Sequence, residues 1–108
     1  MIMKLLISDQ TVLITGGGRG LGAEIAKSFH REGAKVIINY RKSHQNAKSL
    51  HKLLGKNSYL IQGDIRNKNE VVNMSKELKN KKLNVNTIIH NAISDYVFNG
   101  ELRKKIDE

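Results

Sequence analysis

Cysteine is absent from the 108 residues, which excludes disulfides and thiolate metal sites. Tryptophan is absent too, and three tyrosines and two phenylalanines are the whole aromatic complement. So few rings leave no stacking platform for single-stranded nucleic acid. No apolar run approaches the roughly 20 residues of a membrane span, and the opening Met1-Ile2-Met3-Lys4-Leu5-Leu6-Ile7 is too short for a signal sequence. A soluble, cytoplasmic protein is therefore expected.

Acidic residues are scarce, ten against nineteen Lys and Arg, for a net charge of +9. That excess raises the question of a nucleic-acid partner. The lysines, however, are scattered: Lys27, Lys48, Lys52, Lys68, Lys76, Lys79, Lys81 and Lys82 fall on the polar sides of three helical segments, with Glu24, Glu32, Glu70 and Glu77 among them. This is the pattern of a solvated surface, and no nucleic-acid partner is expected. One local gap means more. Between Glu32 and Asp64 the chain holds no carboxylate at all.

Glycine is what the chain does have, concentrated in Thr15-Gly16-Gly17-Gly18-Arg19-Gly20-Leu21-Gly22. This run joins the apolar Val12-Leu13-Ile14 to a helical pattern through a turn almost bare of side chains. Such a turn lets backbone N–H groups approach an anion, and the helix that follows aims its unpaired amides and positive dipole end at the same place. From Gly16 the glycines read G-x-x-x-G-x-G, one residue longer in the first gap than the general dinucleotide fingerprint. A nucleoside-triphosphate loop would need Lys and Ser or Thr after the last glycine, whereas Gly22 is followed by Ala23-Glu24. The expected ligand is a dinucleotide pyrophosphate, held by Gly16, Gly18, Arg19, Gly20, Leu21 and Gly22.

The flanking pattern agrees. Leu21, Ile25, Ala26 and Phe29 recur at helical spacing up to Gly33, and Lys35-Val36-Ile37-Ile38-Asn39-Tyr40 reads as a strand buried in a parallel sheet. Ala47, Leu50 and Leu54 mark a second helix closed at Gly55, Ser58 to Gln62 a third strand, and Val71, Met74, Ser75 and Leu78 a third helix. Val85-Asn86-Thr87-Ile88-Ile89-His90 is the fourth strand. Each apolar helical stripe is read as core packing. The expected architecture is βαβαβαβ: an α/β, Rossmann-like, doubly wound parallel sheet of about four strands with three crossover helices, right-handed throughout. A chain of this length forms one domain that buries about two-thirds of its unfolded surface.

The gap in acidic residues bears on the choice of dinucleotide. An NAD site places a carboxylate near the end of the second strand, on the adenosine ribose hydroxyls, where it would repel a 2′-phosphate. Here that place reads Asn39-Tyr40-Arg41-Lys42, and Arg19 in the glycine turn reaches the same region. Cations so placed favour NADP(H) through charge-assisted contacts. On the plainer alternative, Arg41 and Lys42 are only the polar approach to a helix.

Four features in order carry a family resemblance: T-G-x-x-x-G-x-G at Thr15 to Gly22, the basic segment after the second strand, Gly63-Asp64-Ile65 after the third, and His90-Asn91-Ala92 at the end of the fourth. In these the chain resembles the N-terminal part of a short-chain dehydrogenase/reductase, of the 3-oxoacyl-(acyl-carrier-protein) reductase type used in fatty acid biosynthesis. The resemblance implies that Asp64 and Ile65 meet the adenine ring. It implies as well that Asn91 and Ala92 line the cofactor and steady the sheet. Asp64 also suits a helix N-cap or turn, and both roles can coexist; Asn91 ends a strand, where its amide can bridge the backbone of neighbouring loops. Two positions depart from the family's N-N-A-G: His90 replaces the first Asn and Ile93 the glycine.

The family's catalytic Tyr-x-x-x-Lys is missing. Tyr40, Tyr59 and Tyr96 are followed four residues on by His44, Gly63 and Gly100. A tyrosine with a pKa near 10 is a poor acid without a lysine beside it. No catalytic residue is therefore assigned, and the chain by itself is expected to be inactive, a truncated form of an NADP(H)-dependent oxidoreductase that reduces a carbonyl by hydride transfer. The alternative is a noncatalytic dinucleotide-binding or interaction module. Ser94, Asp95 and His90 lack the nucleophile elbow of a hydrolase, and His90 has no second ligand at metal-binding spacing. Two structural expectations follow: Val85 to Asn91 forms an exposed edge open to self-association, and the tail from Ser94 to Glu108 is mobile.

Overall fold

Strand β1 (Thr11–Thr15) runs between two parallel partners, β2 (Lys35–Tyr40) and β4 (Thr87–His90). Beyond β2 lies β3 (Ser58–Gln62), so the strand order is β3-β2-β1-β4. Val12 pairs with Val36 on one side and Thr87 on the other, and Ile38 pairs with Leu60. The computed structural model describes residues 6–91. Ala92, Ile93 and the tail expected to be mobile lie outside the described residues.

Three helices cross between the strands: α1 (Gly20–Arg31), α2 (His44–Leu54) and α3 (Lys68–Asn80). Side chains alternate across the sheet. Val12, Ile14, Ile38 and Tyr40 meet Ala26 of α1 and Ala47 and Leu50 of α2 on one face. Ile37 and Ile61 meet Met74 of α3, together with Leu83, on the other. Both faces of β2 are thus covered, which is why Val36-Ile37-Ile38 reads as a continuous apolar run rather than an alternation. All three are fully buried, each contributing about 1.5–3 kcal/mol of transfer free energy.

Two helical stripes differ from the periodicity in the sequence. Leu21 is 70% exposed, because the first turn of α1 projects past the end of the sheet and has no strand beneath it. In α3, Val71 is exposed, and Met74 and Leu78 supply the packing. The fourth strand begins at Thr87 rather than Val85. Val85 packs against the Ile37 and Leu83 cluster, and Asn86 Oδ1 accepts the Thr11 N–H at 2.9 Å.

Because every pairing is parallel, Thr15, Tyr40, Gln62 and His90 end their strands on the same edge of the sheet. From β1 the chain moves outward through β2 and β3, then returns to add β4 on the opposite side. This reversal is the topological switch point, where the loops after β1 and β4 part and leave a crevice.

Candidate functional site

The turn after β1 adopts the conformation its glycines allow. Gly16 and Gly20 have φ of 63° and 59°, values that L side chains rarely tolerate. Gly17 donates its N–H to Asn39 O at 3.0 Å, tying the turn to β2. Gly22 is buried beneath the turn. A Cβ there would collide with Gly16 O and would lie 2.6 Å from Asn91 Nδ2 and 2.9 Å from Gly17 Cα, so only glycine fits. Arg19 occupies the N-cap of α1 with extended backbone and makes no side-chain capping bond. The first-turn amides and the positive end of the helix dipole therefore open into the crevice.

The other wall is the end of β4. Asn91 donates its backbone N–H to Thr15 Oγ1 at 2.9 Å and its side-chain amide to Gly16 O at 3.1 Å. Thr15, 4% exposed, joins β1 to β4 at their carboxyl ends. His90 Nδ1 stands 3.5 Å from the same Thr15 hydroxyl, and the ring borders the crevice.

The third wall comes from the ends of β2 and β3. Asn39, 2% exposed, lines the base of the crevice with its amide donating to Ile61 O at 3.3 Å and Gly63 O at 3.1 Å. Tyr40 turns to the opposite face, where its hydroxyl meets His44 Nδ1 at 2.9 Å. Arg41, the first residue after β2, places Nη1 3.8 Å from Asp64 Oδ2. Asp64 is engaged much more closely by Arg66. The Arg66 backbone N–H and Nε donate to Oδ1 at 2.9 and 3.0 Å, and Nη2 donates to Oδ2 at 2.9 Å. These bonds, above all those from the guanidinium, lower the Asp64 pKa to about 2, with the charges of Arg66 and Arg41 adding to the effect against a small opposing contribution from burial. Asp64 in turn raises the pKa of Arg66.

Together these walls enclose a cleft of about 1010 Å³. Of the residues the sequence singled out, Gly16, Gly18, Arg19, Gly20, Leu21, Arg41, Asp64, Ile65 and Asn91 line it. Gly22 lies under its floor, and Ala92 is outside the described residues. Leu21, exposed to solvent as a core residue would not be, is here a wall of the cleft. Ser43 and Arg66 also line it, and sequence reasoning missed both; Arg66 is the charged one. The available signal was Asp64-x-Arg66 directly after a strand, a spacing that lets an Asx-type turn and a bidentate ion pair form together. Among the described residues, Arg19, Arg41, Lys42 and Arg66 border the cleft with one carboxylate, that of Asp64.

The remaining histidines have local partners. His30 Nε2 meets Lys56 O at 2.8 Å and His51 Nδ1 meets Ser58 Oγ at 2.7 Å. Among the described residues no cluster of three or more His, Asp or Glu could hold a metal ion. None of their helices is long and apolar enough to cross a membrane.

A parallel sheet with this strand order, and an uncapped helix mouth at its switch point, define a Rossmann-like nucleotide-binding fold. The chain belongs to the short chain dehydrogenase family, whose model matches residues 10–104. Members of this family are oxidoreductases that bind nicotinamide dinucleotides. The chain is 41% identical to the short chain dehydrogenase mdpC of Emericella nidulans over 61% of its own length and 26% of that protein. It is 29% identical to human short-chain dehydrogenase/reductase 3, over 80% of its own length and 30% of that one. The chain thus spans less than a third of the length of the curated relatives it matches. A short chain dehydrogenase crystal structure from Bacillus anthracis str. 'Ames Ancestor' shares the fold, with a TM-score of 0.78 at 24% identity over 90% of this chain and 40% of that one.

Proposed function

We propose that this chain forms the NADP(H)-binding part of a cytoplasmic carbonyl reductase of the 3-oxoacyl-(acyl-carrier-protein) reductase type. The observation that carries the reading is the charge of the described cleft residues, in which Arg19, Arg41, Lys42 and Arg66 stand with one carboxylate, Asp64, itself paired with Arg66. An NAD-type site needs an acceptor carboxylate at the end of β2. Here Asn39 turns its amide into the sheet and Arg41 follows.

The fit to a dinucleotide rests on two features of the turn. No side chain caps the first turn of α1, so a pyrophosphate at the mouth of α1 would rest against backbone amides, while Gly22 packs the helix directly under the turn. Arg19 and Arg41 would meet the 2′-phosphate, with Asp64 and Ile65 bordering the adenine and Asn91 holding the glycine turn in place. The bound nicotinamide supplies the hydride. The proton for the carbonyl oxygen must come from a Tyr-x-x-x-Lys pair, and none stands within these 108 residues. The second reading is a noncatalytic dinucleotide-binding module.

Titration of the purified chain with NADPH and NADH, followed by nicotinamide fluorescence, tests the cofactor assignment. Tighter binding of NADPH is expected. Arg41→Ala should weaken it about 10-fold or more, the range of a charge-assisted hydrogen bond. Equal affinity for both nucleotides, unchanged in Arg41→Ala, would refute it. NADPH oxidation by the chain mixed with NADPH and a 3-oxoacyl thioester would exclude the noncatalytic module.

A further inference from the structure

Among the described residues Asp64 and Arg66 form the tightest ion pair in the cleft, and its geometry gives Arg66 a task that the sequence did not assign. The pair is bidentate, with Nε on Oδ1 and Nη2 on Oδ2, and a backbone bond from Arg66 N fixes the turn that carries both residues. Arg41 reaches the same Oδ2 from the end of β2. One carboxylate oxygen therefore brings two guanidinium groups, from two different strand ends, to a single point on the cleft wall. A planar guanidinium held on one edge by a carboxylate keeps donors on its other edges for a second anion. The side chain of Arg66 is about half exposed, at 48%, so those donors are open to a ligand.

We propose that Arg66 is a specificity-determining residue for the 2′-phosphate of NADP(H), positioned by Asp64, and that its pairing with Asp64 masks a carboxylate that would otherwise favour NAD(H). The proposal rests on the cofactor reading above and extends it from Arg41 to the end of β3. Two effects act in the same direction. Arg66 adds a cation beside Arg41 where a dianionic phosphate is to bind. It also offsets the charge of Asp64, whose pKa its hydrogen bonds hold well below the ordinary carboxylate range. Without Arg66 the carboxylate beside the adenine would keep only the more distant Arg41, at 3.8 Å, and its charge would oppose a 2′-phosphate bound nearby.

The test compares the wild-type chain, Arg66→Gln, Arg66→Lys and the double variant Asp64→Asn/Arg66→Gln. Affinities for NADPH and NADH are measured by nicotinamide fluorescence, with thermal melts to establish that each variant is folded. Arg66→Gln is expected to reduce the preference for NADPH over NADH at least 10-fold. Adding Asp64→Asn should restore part of that preference, because the unmasked charge is gone. Arg66→Lys, which keeps the charge without the fork, should retain more of the preference than Arg66→Gln. A purely structural Arg66 would weaken both nucleotides by the same factor in Arg66→Gln, and that outcome overturns the proposal. So does a preference that the second substitution leaves unrestored. If the wild-type chain binds neither nucleotide, the cofactor reading itself fails and this inference falls with it. A wild-type preference for NADPH that Arg66→Gln leaves unchanged sinks the inference alone.

Discussion

Asn91 and Gly16 are joined by a hydrogen bond of 3.1 Å from the side-chain amide of one to the backbone carbonyl of the other. This single bond links the end of β4 to the first residue of the glycine turn across almost the whole described sequence. Both groups sit at the switch point, so the bond sets how far the two loops stand apart where a nucleotide would enter.

Gly22 lies beneath this bond, and Gly22→Ala tests the close packing there. The new methyl would press on Gly16 O, Asn91 Nδ2 and Gly17 Cα. A loss of about 1–3 kcal/mol is expected from overpacking, with nucleotide binding lost as the turn is displaced. Chemical denaturation and NADPH titration of the variant measure the two effects. Unchanged stability would mean that the turn yields at no cost.

Asn39→Asp places a carboxylate against the carbonyls of Ile61 and Gly63, to which the native amide donates. Deep burial leaves the charge without water, so a loss of about 3 kcal/mol is expected at neutral pH. The pKa of the introduced group would rise, so the deficit should shrink as pH falls and the carboxyl is protonated. Denaturation curves at pH 7 and pH 5 give the comparison, and equal deficits at both would contradict it.

The Asp64 pKa is lowered from 3.8 to about 2 in the folded chain. Between these values the unfolded chain binds the proton and the folded one does not, so stability rises with pH across that window. The contribution is complete above about pH 4 and is lost as pH falls toward 2. Asp64→Asn should therefore flatten the acid limb of the stability profile there. Parallel acid limbs for the two proteins would show that the pair does not couple to folding.

Met74 and Val71 occupy neighbouring turns of α3 but differ in burial, at 6% against 41% exposed. Met74→Ala should cost about 2–4 kcal/mol, since its side chain packs with Ile37 and Ile61 and fills the space over Gly63. Val71→Ala should change stability by about 0.5 kcal/mol or less. Urea midpoints would rank them, and a reversed order would mean that α3 packs by a different face.

β4 is the last strand in the order among the described residues, and its Ile88 is 63% exposed. The chain is expected to self-associate through this strand at micromolar concentration. Ile88→Lys should shift sedimentation profiles toward the monomer. Identical profiles for the two proteins would rule out this face as the contact.

The strands β2 and β3 and the helix α2 stand where their patterns place them, because each is bounded by a local signal: a glycine after the helix, a charged or polar residue at the strand end. The start of β4 was not legible. Val85 continues the apolar alternation, but Asn86 bonds to Thr11, a partner distant in sequence. In α3 the period was right and the face was off: Val71 and Met74 share a helical stripe, yet the sheet reaches only Met74. Leu21 read as core from spacing alone, since nothing local tells that the first turn of α1 overhangs the strands.

The amino-acid sequence alone determined the glycine turn, its place between a strand and a helix, the parallel α/β class and the absence of a carboxylate after β2. These depend on backbone freedom and on periodicities of a few residues, which neighbouring positions carry by themselves. Only the tertiary structure decided that Asn39 faces into the sheet, that Asn91 closes on Gly16 and that Arg66, rather than a ligand, occupies Asp64. Each of those is a question of where a polar side chain finds its partner, and that partner is set by how strands and loops from distant parts of the chain are brought to one edge.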